Sequence, residues 1–255
     1  HRMTPDPTMR PIREGRFRFD CHRRMPCFTR CCANLNLVLT PYDILRLKHR
    51  LRLSSRDFLD RYTENQIDEA TGLPLVRLKM GKDESRRCPF VRPEGCTVYE
   101  DRPGACRLYP LARAAARFHG TEATREKYFL VEEAHCLGLK EERKWTVAGW
   151  LADQGLVQYN AMNDGFMEVA AARTPRALHR LGDRQRRMYT MAFYDLDGFR
   201  SFLLQSSFLQ RFQVEDALLE RLRTDDEQLL IFAGRWLKFA LFGEMTLEIK
   251  PAYVP

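Results

Sequence analysis

The stretch CPFVRPEGCTVYEDRPGACRLYPL, residues 88–111, carries three of the eight cysteines of the chain between repeated prolines and glycines. Proline and glycine punctuate turns, so this stretch predicts loops that bring several thiols to one place. A denser run, FDCHRRMPCFTRCC, residues 19–32, precedes it. The candidate metal ligands are the eight cysteines, which are Cys21, Cys27, Cys31, Cys32, Cys88, Cys96, Cys106 and Cys136.

Clustered cysteines form disulfides or metal sites, and the cellular compartment usually decides between the two. The first twenty residues have no apolar core of the kind a secretory signal needs, and no run of about 18 apolar residues marks a membrane span. We therefore expect a cytoplasmic protein with reduced thiols, in which metal binding is favoured over disulfides.

Thiolates select zinc, cuprous copper and iron–sulfur clusters over calcium and magnesium. The cysteine spacing matches neither zinc-ribbon pairs nor a thioredoxin-like CxxC nor the radical-SAM motif. Eight cysteines can fill two four-cysteine sites, or one site with buried bystanders. Since adjacent side chains diverge, we expect Cys31 and Cys32 to have different roles. His22 and His135 each adjoin a cysteine and are alternative nitrogen ligands.

The pieces FDCHRRMPCFTRCCANLNLVLTPYDILRL, residues 19–47, and CPFVRPEGCTVYEDRPGACRLYPL, together with Cys136, resemble the YkgJ-type cysteine-cluster family over about residues 17–137. The gap between Cys21 and Cys27 is wider than is usual there. The resemblance implies a zinc- or iron-chelating domain. The same domain occurs in the flagellin lysine N-methylase, which is associated with an iron–sulfur cluster and S-adenosylmethionine. The sequence has no glycine-rich turn of a Rossmann-type methyltransferase, so no catalytic residue is assigned.

Local signals predict helices and strands near the cysteines. Thr40-Pro41-Tyr42-Asp43 and then Ser54 or Ser55 predict two helix starts. Leu73 to Met80 and Cys96 to Tyr99 predict two short strands that together form a small β hairpin or sheet.

Arg102-Pro103 predicts a helical turn with Cys106 near its start, where the helix dipole favours a thiolate. Arg107, beside this cysteine, is expected either to donate to a cluster sulfur or neutralise a negatively charged four-thiolate site, or to form a surface ion pair.

The chain after Lys140 has a helical pattern. Helices are predicted over residues 141–172, again from Thr174-Pro175, and in a closing region whose apolar stripes, such as Phe199, Leu203 and Trp236, indicate core packing. The predicted fold is mainly α. A cysteine-rich, loop-heavy metal-binding module of residues 17–139, with the small β hairpin, packs on an all-helical part of residues 140–255, as a second domain or as one continuous fold.

The formal net charge is +8, which raises the question of nucleic acid. The basic runs are short and alternate with acids, as on solvated helical faces; they are Arg86-Arg87 and Arg184, Arg186 and Arg187. Nucleic acid is therefore not the expected partner, and RNA or an acidic protein surface is a minor alternative. We expect an unidentified protein partner or substrate.

These patterns predict a metal-binding cysteine-cluster protein that holds an iron–sulfur cluster, of the 4Fe-4S type, for a redox, sensing or modification role. Ligands from distant loops are usual for such clusters, and the methylase resemblance implies the same cofactor. One alternative is a structural zinc protein that acts as an adaptor. Another, implied by the resemblance alone, is an S-adenosylmethionine-dependent protein lysine methylase, so catalysis is left open.

Overall fold

The computed structural model describes residues 8–69, 71–117, 124–171 and 181–253. About half of the described residues are helical, and the rest include several small sheets. The α-helices are α1 (Pro41–Leu51), α2 (Ser55–Tyr62), α3 (Gly104–Leu108), α4 (Val147–Asp153), α5 (Leu156–Ala171), α6 (Asp183–Tyr194), α7 (Leu196–Gln205), α8 (Phe208–Arg211), α9 (Asp216–Thr224) and α10 (Asp226–Phe242). Short 3-10 helices cover Arg30–Cys32, Tyr99–Asp101, Leu137–Lys140 and Pro251–Tyr253.

The strands are short and pair antiparallel. They are β1 (Met9–Pro11), β2 (Arg16–Arg18), β3 (Val38–Leu39), β4 (Thr63–Ile67), β5 (Pro74–Leu78), β6 (Val91–Arg92), β7 (Gly95–Cys96), β8 (Leu111–Arg117), β9 (Thr124–Val131), β10 (Lys144–Thr146), β11 (Phe212–Gln213) and β12 (Glu248–Ile249). The two three-stranded sheets have the orders β1-β9-β8 and β3-β5-β4, and the two-stranded pairs are β10-β2, β6-β7 and β11-β12.

Contacts divide the chain into two compact units. The first unit comprises the chain up to Leu37 together with Met80–Tyr159, and the second comprises Val38–Lys79 with the chain from Asn160 onward. All eight cysteines belong to the first unit. This grouping is discontinuous in sequence, whereas the sequence analysis placed a single boundary between residues 139 and 140. Separate folding on either side of that boundary stays a prediction.

The core of the first unit is aromatic. Phe17, Phe19, Leu111, Leu130 and Trp150 are buried together. The ring of Trp150 meets those of Phe19 and Phe17 edge-on, with centroids 5.5 and 5.9 Å apart. Edge-to-face geometry of this kind is favourable beyond the apolar area that it buries. The partly buried cysteine at position 136 packs against this cluster, so the core directly supports one of the candidate ligands.

Local helix signals are confirmed. The Thr40 side chain accepts from the backbone N–H of Asp43 at 3.2 Å, and the Asp43 carboxylate accepts from the backbone N–H of Thr40 at 2.8 Å, which makes a capping box at the start of α1. Ser54 caps α2 in the same way, through the backbone N–H of Asp57. Helix α3 follows Pro103, as predicted.

The predicted β hairpin is wrong in its pairing. The stretch 73–80 contains β5, which pairs with β3 and β4. The stretch 96–99 contributes only Cys96 to a strand, β7, whose partner is β6. The physical reason is proximity along the chain, because two residues join β6 to β7 and Gly95, with φ of +128°, adopts a conformation that favours glycine.

The C-terminal part is mainly helical rather than all-helical. Residues 144–146 form β10 and pair with β2, so helix begins at Val147 instead of residue 141. The strands β11 and β12 form a further short pair. The restart predicted at Thr174-Pro175 lies outside the described residues. The predicted apolar stripes are core, since Phe199 and Leu203 of α7 are buried together with much of α10.

An ion-paired lysine lies inside the second unit. Lys48 of α1 is 5% exposed, and its Nζ lies 2.8 Å from Asp197 and 2.9 Å from Asp226. Arg200 also pairs with Asp226. Despite burial, hydrogen bonds from these cations hold the pKa of both carboxyls below the usual range. In the described parts of the chain, no helix has the length and apolar composition needed to cross a membrane.

Candidate metal centre

The first cysteine segment is a chain of tight turns. Backbone N–H groups donate three residues back from Met25 to His22, Phe28 to Met25, Arg30 to Cys27 and Cys32 to Thr29, at 2.9–3.0 Å. The segment ends in the 3-10 helix Arg30–Cys32, whose preceding residue, Thr29, has a left-handed φ of 65°. Because each tight turn covers little distance, the cysteines of this segment stay close in space although several residues separate them in sequence.

Cys88 is attached to this segment by backbone pairing. Its N–H donates to the carbonyl of Cys32 at 2.8 Å, and the N–H of Asn34 donates to Arg86 at 2.9 Å. Strands β6 and β7 then return the chain and place Cys96 opposite Val91. Residues 88–96 therefore deliver two thiols close to the end of the first segment.

Cys136 follows β9 along the chain, and its loop contacts the first cysteine segment. The backbone N–H of Leu137 donates to Sγ of Cys27 at 3.4 Å. The N–H of Asp20 donates to the carbonyl of Gly138 at 3.1 Å. A Cβ at Gly138 would lie under 3.0 Å from the Asp20 carbonyl and 2.8 Å from the Phe19 ring, so this approach requires glycine.

The thiols fall into two neighbouring groups. Cys21 interacts electrostatically with Cys27, Cys31 and Cys136, and we call these four the first thiol group. Cys32 interacts with Cys88 and Cys106, Cys88 interacts in turn with Cys96, and we call these four the second thiol group. All eight are free thiols; Cys27 is buried, Cys21 is exposed and the others are half-buried.

Cys31 and Cys32 join the two groups. The sequence analysis expected their side chains to diverge and their roles to differ, which stays a prediction. The two thiols influence each other's ionisation, so that the pKa of one is lowered while the pKa of its neighbour is raised. Loss of a proton from one thiol therefore opposes loss of a proton from the other.

Burial opposes ionisation at three further thiols, Cys21, Cys88 and Cys96. It raises the pKa of Cys21 to about 11, with smaller contributions from the neighbouring thiols. It also raises the pKa of Cys88 and Cys96, although backbone N–H groups near their sulfurs act in the opposite direction. These N–H groups belong to Phe90, Val91 and Val98. Backbone donors aimed at sulfur stabilise a thiolate once a metal has displaced the proton.

Arg107 has neither of the roles that the sequence analysis considered. Its guanidinium is buried and donates to the backbone carbonyls of Arg102 at 3.1 Å, Gln154 at 2.8 Å and Glu100. The guanidinium thus holds two carbonyls of the loop before α3 and the carbonyl of Gln154 together. This fixes the start of α3, the helix that carries Cys106. Arg107 therefore stabilises the loop rather than a sulfur.

Two functional neighbours were missed in the sequence. Arg102 is the cation near Cys96 and Cys106, and its charge partly offsets the rise that burial causes in the pKa of Cys96. The Tyr109 hydroxyl is buried without a hydrogen-bond partner among the described residues, and burial together with the nearby Cys136 and Glu133 raises its pKa. Tyr109 belongs to the motif CRLYPL that carries the family resemblance, so the motif itself could have indicated it.

Each candidate histidine has one buried ring nitrogen without a hydrogen-bond partner among the described residues, Nδ1 of His22 and Nε2 of His135. His135 Nε2 lies 3.4 Å from a carboxylate oxygen of Glu133, so this imidazole faces an acid. His22 Nδ1 is buried and has no hydrogen-bond partner among the residues that the structure describes. An orphaned buried nitrogen beside Cys21 fits a ligand position, since imidazole is a common metal ligand.

The residues fit a thiophilic metal in their chemistry. Two sets of four thiols, backbone donors near the sulfurs and Arg102 suit a negatively charged metal–thiolate centre. As placed, however, no three His, Cys, Asp or Glu side chains within the described residues are close enough to hold a metal ion. Binding therefore requires the thiols of each group to draw closer together.

Comparison with protein families agrees with this chemistry. Residues 20–144 match the model of the family CxxCxxCC, which is described as "Putative zinc- or iron-chelating domain". This part of the chain, which contains all eight cysteines, belongs to that cysteine-cluster family. Neither the curated proteins nor the solved structures gave a match.

Proposed function

We propose that the two thiol groups each hold an iron–sulfur cluster of the 4Fe-4S type, in a cytoplasmic protein with a redox, sensing or modification role. The observation that supports this proposal is the convergence of eight free thiols in the first unit, through the backbone contacts of Cys88 with Cys32 and of Leu137 with Cys27, and we assign the thiols to two sets of four. Four cysteine thiolates are the usual ligand set of such a cluster, and the ligands commonly come from separate loops.

The surroundings of the sulfurs support a cluster. The N–H of Leu137 donates to Cys27, and Val98 is a backbone donor to Cys96. Hydrogen bonds to sulfur and nearby charge are the protein's means of setting a cluster potential. Arg102 supplies positive charge beside the second group. When bound, a cluster would supply one-electron chemistry, and the chain's own residues would hold it and offset its charge.

Zinc is the second candidate. A set of four thiolates completes tetrahedral coordination and leaves no open position, which is the arrangement of structural zinc sites. In that case the two groups would fasten the loops of the first unit, and the protein would act as an adaptor. The methylase alternative rests on the family resemblance alone, and the question of catalysis stays with it.

The test is metal and sulfide analysis of protein purified without oxygen and without added metal. We expect brown protein in which iron and acid-labile sulfide are present in equal amounts. Cys136→Ser removes a thiol from the first group and Cys106→Ser one from the second, so each variant should lose about half of the iron and serve as the control for the other. Colourless protein with stoichiometric zinc would show that the thiol groups hold zinc instead of a cluster. Protein that binds neither metal would refute the proposal.

A further inference from the structure

A cleft in the first unit is lined by four arginines, and no cysteine belongs to its lining. Arg10, Arg13, Arg16 and Arg18 surround it, and its volume is about 630 Å³. Its floor is apolar and includes Phe17, Leu130 and Leu139. This volume falls in the range of small-molecule sites, which are typically apolar with a few charged groups for orientation.

The backbone concentrates the arginines at the cleft. Residues 13–16 form a tight turn, closed by the N–H of Arg16 donating to the carbonyl of Arg13 at 3.2 Å. Glu14 and Gly15 both have left-handed φ, of 54° and 63°, so the chain reverses within two residues. Strand β2 then exposes Arg16 and Arg18 on either side of the buried Phe17.

The positive charge of the cleft is not balanced by the protein. Glu132 is the acidic residue in the lining, and it pairs with Arg10 at 2.8 Å. Among the residues that the structure describes, Arg13, Arg16 and Arg18 have no carboxylate partner. In the pairing of β2 with β10, moreover, Lys144 stands directly opposite Arg18.

Like charges directly opposite each other across a strand pair are destabilising unless an anion lies near them. Guanidinium groups bind carboxylates and phosphates through paired N–H donors, which makes arginine the side chain suited to such an anion. The apolar floor offers a surface for a carbon skeleton or ring.

We propose that this cleft is a binding site for a small organic polyanion of about nucleotide size, bearing phosphate or carboxylate groups. Arg13, Arg16 and Arg18 hold the anionic groups, and the body of the ligand lies against the partly buried Ile12 and Leu139. The proposal is independent of metal at the thiol groups, because no cysteine lines the cleft.

The test is calorimetric titration of the full chain with adenosine triphosphate, tripolyphosphate, citrate and adenosine in about 50 mM salt. We expect a polyanion to bind with a Kd below about 100 µM, more weakly as salt rises, and adenosine to bind far more weakly. Tighter binding of the two phosphate compounds than of citrate would identify phosphate as the anionic group. Tighter binding of citrate would identify carboxylate. If no polyanion binds below about 1 mM, or if adenosine binds as well as its triphosphate, the proposal is wrong.

A pair of double variants tests the location. Arg16→Gln with Arg18→Gln should weaken binding roughly tenfold or more, because two charge-assisted contacts are lost. Arg184→Gln with Arg187→Gln removes the same charge from exposed positions of α6, outside the cleft, and should change binding little. An equal loss in both double variants would overturn the assignment. Circular dichroism and iron content show whether each variant keeps its fold and metal.

Discussion

Gly138→Ala provides a sharp test of how the first thiol group is assembled. The carbonyl of Gly138 accepts a hydrogen bond from the N–H of Asp20 at 3.1 Å. This contact holds the loop that carries Cys136 against the segment after β2 that carries Cys21. The new Cβ would lie under 3.0 Å from the Asp20 carbonyl and 2.8 Å from the Phe19 ring. Since non-bonded carbons normally stay about 3.5–4.0 Å apart, the two segments must separate by about 1 Å.

The cost of this separation has two parts. Overpacking costs about 1–3 kcal/mol, and loss of one backbone hydrogen bond costs about 1 kcal/mol, which together give about 2–4 kcal/mol. If the same strain opposes metal binding at the first thiol group, its affinity falls by roughly 30- to 1,000-fold. The second thiol group should keep its metal, since Gly138 does not contact its segments in the structure.

The assays are urea unfolding and iron content per chain, for Gly138→Ala and for a matched glycine variant. Gly182→Ala is the control, because its Cβ would meet only the Gln185 side chain, at an ordinary 3.8 Å. We expect Gly138→Ala to lose stability and about half of the iron and Gly182→Ala to lose neither. Wild-type stability and full iron in Gly138→Ala would refute the proposed contact between the two segments.

The remaining predictions concern the ion pairs and the ligands. Asp226→Asn should cost about 3 kcal/mol in urea unfolding, because it removes one partner of the buried Lys48. Because the pKa of Asp226 is lowered in the folded protein, the ionised carboxylate stabilises the native state fully above about pH 4. This stabilisation is lost as the pH falls through the lowered pKa, so acid should destabilise the wild type more than Asp226→Asn. Cys31→Ser should empty mainly the first thiol group and Cys32→Ser mainly the second; equal losses from one group in metal analysis would contradict the grouping. Arg107→Lys should lower the free energy of unfolding by about 2 kcal/mol, measured by urea unfolding, since the single nitrogen of an ammonium cannot reach the separated carbonyls that the guanidinium fork spans, and unchanged stability would contradict its loop-fixing role.

Features set by neighbouring residues were predictable from the sequence. The start of α1 needed only Thr40, Pro41 and Asp43, which interact within three residues. The eight cysteines and their resemblance to a chelating family were visible for a similar reason, because each of the two main pieces of the motif is continuous in sequence.

Features set by distant contacts were not predictable. Strand β8 reads LARAAAR, and its alanines favour helix, so only the pairing with β9 reveals a strand. Cys31 and Cys32 are adjacent, yet their groups are defined by Cys136 and Cys106, which lie about 100 and 70 residues away along the chain. Local propensity carries no information about such long-range pairing.

Native mass spectrometry of anaerobically purified protein tests the central claim most directly, because it counts bound groups on each intact chain. Two 4Fe-4S clusters per chain, reduced to one in Cys136→Ser and to one in Cys106→Ser, is the predicted result. A wild-type chain that carries a single metal centre, lost equally in both variants, would contradict the assignment of two thiol groups.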